Sequence, residues 1–144
     1  MLGVDTSLFS NEYREKSLNI SIKYPNGWYF IDQHKDEKFE GVVFIYGGAN
    51  IDFGNTPFIS LYLKDKNYFL SSNYKYSVLT DFYTAYYNDE IVIGSQKIFE
   101  IYLRTNDEFD FLFKLQAPNN AEFEEYKHKF FFMLKSFKYR KGIF

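Results

Sequence analysis

The side chains best suited to chemistry lie in one short stretch, Asp32-x-His34-x-Asp36, with Glu37 beside it. Alternate residues of an extended chain share one side, so two carboxylates and an imidazole there could take a divalent cation completed by water. The plainer reading, and the one the spacing favours, is a charged, solvated loop. The other histidine, His128, stands between Lys127 and Lys129, a cationic setting that disfavours metal. No G-x-S-x-G turn presents a nucleophile, and two scattered histidines make no hydrolytic triad. Gly47, Gly48 and Gly54 match neither phosphate-binding glycine pattern, and no helical pattern follows them. Glu124-Glu125 and Asp107-Glu108 are neighbours whose side chains diverge, so they read as solvated charge. The basic stretch from Lys135 to Lys141 complements a helix C-terminus and solubilises the tail. No catalytic set emerges. The expectation is a non-enzymatic chain with no cofactor, save a divalent metal at Asp32, His34 and Asp36.

The composition narrows the classes further. The 144 residues suit one domain, and 46% apolar with 25% charged residues is a globular balance. A net charge of −2 gives no drive toward nucleic acid or an anionic membrane. The absence of cysteine excludes disulfides, thiolate chemistry and Cys-based metal sites. Aromatic residues reach 23%, with 18 Phe and 14 Tyr. Lys far outnumbers Arg, and Gly, Ala and Pro are sparse, so a low-GC genome accounts for most of that excess. Tyr74, Tyr76 and Tyr102 are nevertheless candidates for an exposed partner-binding patch.

The elements that would position these residues follow from periodicity. Met1 to Ser17 is polar and aperiodic and reads as an N-terminal arm, without the basic-then-apolar order of a signal peptide. Leu18, Ile20, Ile22 and Tyr24 alternate with polar residues, as in a half-buried strand. Pro25-Asn26-Gly27 is a turn, Trp28 to Ile31 a short strand, and Asp32 to Glu40 a charged loop. Gly41 to Tyr46 and Pro57 to Lys64 are strands on either side of a Gly47–Thr56 loop, and Asp65 to Asn73 is a connector. Leu79, Phe82, Tyr83, Tyr86 and Tyr87 fall at helical spacing, which predicts a helix over Ser77 to Tyr87. Strands are expected at Glu90–Gly94, Lys97–Thr105 and Phe109–Gln116, with a hairpin loop at Asn106-Asp107-Glu108. The C-terminal segment is the clearest helix. Asn119 and Asn120 are N-cap residues, early glutamates and late lysines suit the macrodipole, and Phe123 to Phe137 carries one apolar stripe. The order implies an α+β fold, a mostly antiparallel sheet with helices packed on it.

Two motifs then stand together. One is Ser21-Ile22-Lys23-Tyr24-Pro25-Asn26-Gly27-Trp28; the other runs from Ala117-Pro118-Asn119-Asn120 to Leu134-Lys135-Ser136-Phe137-Lys138. With the element order, they make the chain resemble the PsbP/Mog-like superfamily: PsbP, Ran-binding Mog proteins, and DcrB-like and related bacterial lipoprotein domains. The resemblance spans Leu18 to Lys138 and implies one domain over residues 18–141, an α-β-α sandwich whose sheet of six to seven strands is flanked by helices. Its motifs are structural. Pro25 and Gly27 shape a turn, Trp28 plugs the core, and Ser136 and Phe137 end and anchor the helix.

The resemblance implies a protein-binding or assembly module at a membrane-associated complex, and the composition points to a low-GC bacterium. Such relatives are often exported and lipid-tethered, but this chain has no lipobox cysteine. Localisation would be extracytoplasmic if an export signal was removed ahead of Met1, and cytoplasmic otherwise. A protein partner is expected, with no nucleic acid and no membrane span; the oligomeric state stays open. The alternatives are a DcrB-like cytoplasmic secretion chaperone, or a small-ligand or divalent-metal-binding domain using the face between the Asp32–Glu40 and Gly47–Thr56 loops.

Overall fold

The structure, a computed structural model, describes residues 9–47, 52 and 54–139. Ten strands and one α-helix follow one another. They are β1 (Asn11–Glu15), β2 (Ile20–Tyr24), β3 (Trp28–Lys35), β4 (Lys38–Tyr46), β5 (Phe58–Asp65), β6 (Tyr76–Leu79), β7 (Thr84–Tyr87), β8 (Ile91–Ile93), β9 (Gln96–Arg104), β10 (Phe109–Ala117) and α1 (Asn120–Ser136). The large sheet has the order β3-β4-β5-β10-β9-β7-β6, with β8 also on β9, and β1-β2 form a small sheet of their own. Every pairing is antiparallel. This is the expected α+β class. Among the described residues no helix is long and apolar enough to cross a membrane.

Alternation along the central strands builds the core. Phe111, Phe113, Leu115 and Ala117 are fully buried on one face of β10, and register sets them beside Leu61 and Ile59 of β5 and Ile101 and Leu103 of β9. Helix α1 covers that face: Phe130 packs edge-on against Phe113 at 4.7 Å and Phe99 at 5.8 Å. Asn119 caps the helix, its side chain accepting from the Glu122 N–H at 2.9 Å.

The two sequence motifs meet in space. Ser21 and Lys138 exchange both backbone hydrogen bonds, at 3.0 and 2.8 Å, and the Lys23 N–H donates to Ser136 Oγ at 2.9 Å. Phe137 is buried against Phe111, and Trp28 against Tyr126. Gly27 has φ +81°, and the Trp28 N–H donates to the Pro25 carbonyl, the closure of a turn whose third residue needs positive φ.

Four expectations are corrected. No helix forms over Ser77 to Tyr87; that segment is the hairpin β6–β7. Among the described residues α1 is the single α-helix, so helices do not flank both faces; the second face carries the 66–75 connector, with 3₁₀ turns at Lys66–Tyr68 and Ser71–Asn73. The N-terminal segment is no arm from residue 9 onward, because Phe9 and Tyr13 are buried and β1 pairs with β2; residues 1–8 lie outside the described residues. The stretch Asp32 to Glu40 is no loop either. β3 runs on to Lys35 and turns at Asp36-Glu37 directly into β4.

Candidate functional site

His34 sits on β3 just past a bulge at Gln33/His34. Its Nδ1 lies 3.9 Å from the Asp32 carboxylate and its Nε2 3.9 Å from that of Glu15. Both carboxylates already have partners. Tyr13 Oη donates to Asp32 at 3.0 Å, while Glu15 accepts from the backbone N–H groups of Ser17 and Leu18 and from the Ser17 hydroxyl, tying the β1–β2 turn. Burial, and then the Asp32 hydrogen bond, push the Tyr13 phenol far above its ordinary pKa. Asp36 stands apart in the two-residue turn. Among the described residues no group of three or more His, Asp or Glu is placed to hold a metal ion, so the Asp32, His34, Asp36 trio is not assembled as one site.

The face expected between the Asp32–Glu40 and Gly47–Thr56 loops does not exist as drawn. Those segments leave opposite ends of β4, whose nine residues span roughly 30 Å, and residues 48–51 and 53 lie outside the described residues. A groove of about 490 Å³ lies instead where the β1–β2, β3–β4 and β9–β10 turns converge. Leu18, Phe39, Leu63 and Phe109 supply its apolar lining, and its rim carries both signs of charge, Lys35 and Lys38 beside Asp36, Glu40 and Glu108.

On the second face of the sheet lies a carboxylate that periodicity alone had passed over. Asp110 is fully buried in the otherwise apolar run Phe109 to Phe113. It accepts from Lys66 Nζ at 2.8 Å, the Thr105 N–H at 3.0 Å and Tyr102 Oη at 2.7 Å, with the Arg104 guanidinium 3.7 Å away. Burial and the hydrogen bond to Asp110 raise the Tyr102 phenol far above its usual pKa. Above this network Phe69 packs on Tyr102 and Tyr86, stacks with Tyr74, and lies under the Arg104 guanidinium at 4.3 Å. The network is a fastening that holds the 66–75 connector on the sheet. It separates the three candidate tyrosines. Tyr102 is only 5% exposed and so presents no contact surface. Tyr74 packs beside it, whereas Tyr76 is on the far edge, stacked on Tyr87 with its hydroxyl donating to Asp89.

Exposed apolar groups gather elsewhere. Register places Tyr29, Ile45, Phe58, Gln116, Ile98 and Ile91 in one row straight across the second face. The row is buried or half-buried at its centre and opens at both ends, at Tyr29 and Ile31 on one side and at Ile91 and Ile93 on the other.

No family model matches the chain, and no curated protein matches it. Among solved structures it is similar to the solution structure of cyanobacterial PsbP (CyanoP) from Synechocystis sp. PCC 6803. The identity is 14% and the TM-score 0.45, over 97% of this chain and 98% of that one.

Sequence reasoning missed Asp110, its partner Lys66, and the cross-strand row. A lone acid at an alternating position in Phe109-Asp110-Phe111-Leu112-Phe113 was the available signal for the first. The row had none, because it exists only once register is known.

Proposed function

We propose that this chain is a non-enzymatic protein-binding or assembly module, and that its partner sits on the second face of the sheet. The apolar row from Tyr29 to Ile91 carries the reading: large side chains in adjacent strands, half-exposed at both rims of the sheet, have the composition of an interaction surface. The finer reading follows the family resemblance. The partner belongs to a membrane-associated complex in a low-GC bacterium, reached from the extracytoplasmic side, with the DcrB-like cytoplasmic secretion chaperone as its alternative.

The test is crosslinking capture from separate membrane and soluble fractions, with wild type and a Tyr29→Ser/Ile91→Ser variant as baits. A saturable partner held by wild type and lost by an equally stable variant supports the reading. A partner held equally by both, or none in either fraction, removes it.

A second reading rests on the groove among the three turns, whose volume and apolar lining suit a small apolar molecule. It expects a ligand-induced rise in melting temperature that Leu63→Trp abolishes by filling the space. For a metal at the adjacent imidazole, the rise would instead require a divalent cation and vanish in His34→Ala.

A further inference from the structure

We propose that β6 is a self-association edge, through which two copies of this chain join their large sheets by antiparallel pairing of Tyr76–Leu79 about a two-fold axis. This goes beyond the partner reading above and uses a different surface.

Among the described residues β6 ends the sheet, with β7 as its one neighbour. All four of its residues are exposed, Val78 at 50% and Leu79 at 81%. Parity along the hairpin is set by its turn, where the Thr80 N–H donates to the Tyr83 carbonyl at 2.9 Å. Thr80, Val78 and Tyr76 therefore direct their peptide groups at β7, and Ser77 and Leu79 direct theirs outward. Edges of this kind are ordinarily blunted by proline, a bulge or charge. The opposite edge, β3, has both a bulge and the charges of Asp32 and Lys35. β6 has no proline, bulge or charge within Tyr76–Leu79, and only its four-residue length limits it.

A second β6 must set its own Ser77 and Leu79 opposite these two to exchange hydrogen bonds. Ser77 can face Leu79, or each can face itself. Charge decides among the three registers. When Ser77 faces Leu79, Lys75 just ahead of the strand comes to the end of the second copy's β6 where Asp81 opens the turn, and symmetry repeats the pair at the other end. Neither other register matches opposite charges. Lys75 already holds Asp89 at 2.7 Å, but both side chains are more than half exposed, so the ammonium is free to bridge two carboxylates.

The same register brings the two Val78 side chains together on the axis, at the close spacing of a non-hydrogen-bonded pair. Val78 also lines an apolar trough of about 240 Å³ with Ala85, Tyr87, Phe131 and Leu134. The trough arises because α1 lies over β9 and β10 and leaves the core face of β6 uncovered, with Ala85 of β7 buried at its floor. Pairing at β6 joins two such troughs end to end.

Sedimentation equilibrium of the whole purified chain, over a wide concentration range, tests this. The expected result is a reversible dimer. Leu79→Pro removes an outward N–H while sparing the ladder to β7, and should weaken association at least about tenfold with an unchanged melt; if it perturbs the fold, Val78→Lys makes the same test by placing two ammoniums on the axis. Lys75→Glu and Asp81→Lys should each weaken the dimer, and the double variant should restore it. A monomer at every concentration overturns the proposal. So does a dimer indifferent to the β6 variants, or a charge swap that fails to restore.

Discussion

Asp110 is the residue whose environment departs most from what its side chain would choose alone. A fully buried carboxylate persists only when its charge and lone pairs are met, and here an ammonium, a phenol and a backbone N–H meet them. Removing it leaves Lys66 with one partner, the Thr105 carbonyl, and takes away the polar tie of a connector otherwise held by Phe69 and Tyr74 packing on Tyr102. Asp110→Ala should cost about 3 kcal/mol, the usual loss when one half of a largely buried ion pair is deleted. Asp110→Leu combined with Lys66→Met should recover much of it. Urea denaturation of the two variants is the check; a single-variant loss below about 1 kcal/mol would show that the network fastens nothing. Gly41 makes a different demand. Tyr62 faces it across the β4–β5 pair, and a Cβ there would lie 2.2 Å from the Tyr62 ring, so the ring occupies the space a side chain would need.

At the scale of elements, the β3–β4 turn is the place where local sequence and local geometry disagree. Asp36 and Glu37 both hold positive φ, +52° and +64°, in a two-residue hairpin that favours Asn-Gly. Glu37→Gly should relieve the left-handed strain and raise stability by about 0.5–1 kcal/mol, even after the added freedom of the unfolded chain. A thermal melt decides it, and a lower melting temperature would mean that the Glu37 side chain contributes more than its backbone costs. The same hairpin explains why the segment read as a loop: its charges are those of a loop, while its turn lacks the glycine that announces a hairpin. The other misreading has a comparable cause. Leu79, Phe82, Tyr83, Tyr86 and Tyr87 match helical spacing by coincidence in a segment dense in aromatics, whereas the chain turns at Asp81-Phe82 and pairs as two strands. The β-branched and aromatic residues Val78, Thr80, Thr84 and Tyr86 were the better guide. By contrast the existence and cap of α1 were legible, since cap and charges agree, although its stripe was off by one face position: Met133 is buried while Phe131 is exposed. The central strands were legible for the same reason, their alternation being uninterrupted. Of the candidate sites, Gly27 closes the β2–β3 turn, Trp28 and Phe137 are buried and Ser136 accepts from the Lys23 N–H; Tyr102 is buried, and burial is decided by register, which periodicity cannot supply.

At the scale of the whole molecule, the tyrosines set a boundary on the alkaline side. Burial raises the phenols of Tyr13, Tyr24, Tyr74, Tyr83, Tyr102, Tyr126 and Tyr139 above their ordinary value. A group whose folded pKa is raised contributes stability that is complete below its unfolded pKa and lost as pH rises through the folded one. The unfolded chain releases these protons near the usual phenol pKa of about 10, so the tyrosines' contribution should be constant below that pH and fall beyond it. Phenolate absorbance should then appear together with the loss of far-ultraviolet ellipticity. Full ionisation at ordinary phenol pH in a chain that stays folded would contradict the burial. The bond between Lys23 and Ser136 has a consequence for how the chain is made. Its partners are 113 residues apart, so at about 5–20 residues per second a ribosome holds β2 with one side unmatched for roughly 6–23 s. β2 gains its bonds to this end of the chain only once residues 136 and 138 have been made, and a chain cut short ahead of residue 136 leaves that side of the strand open.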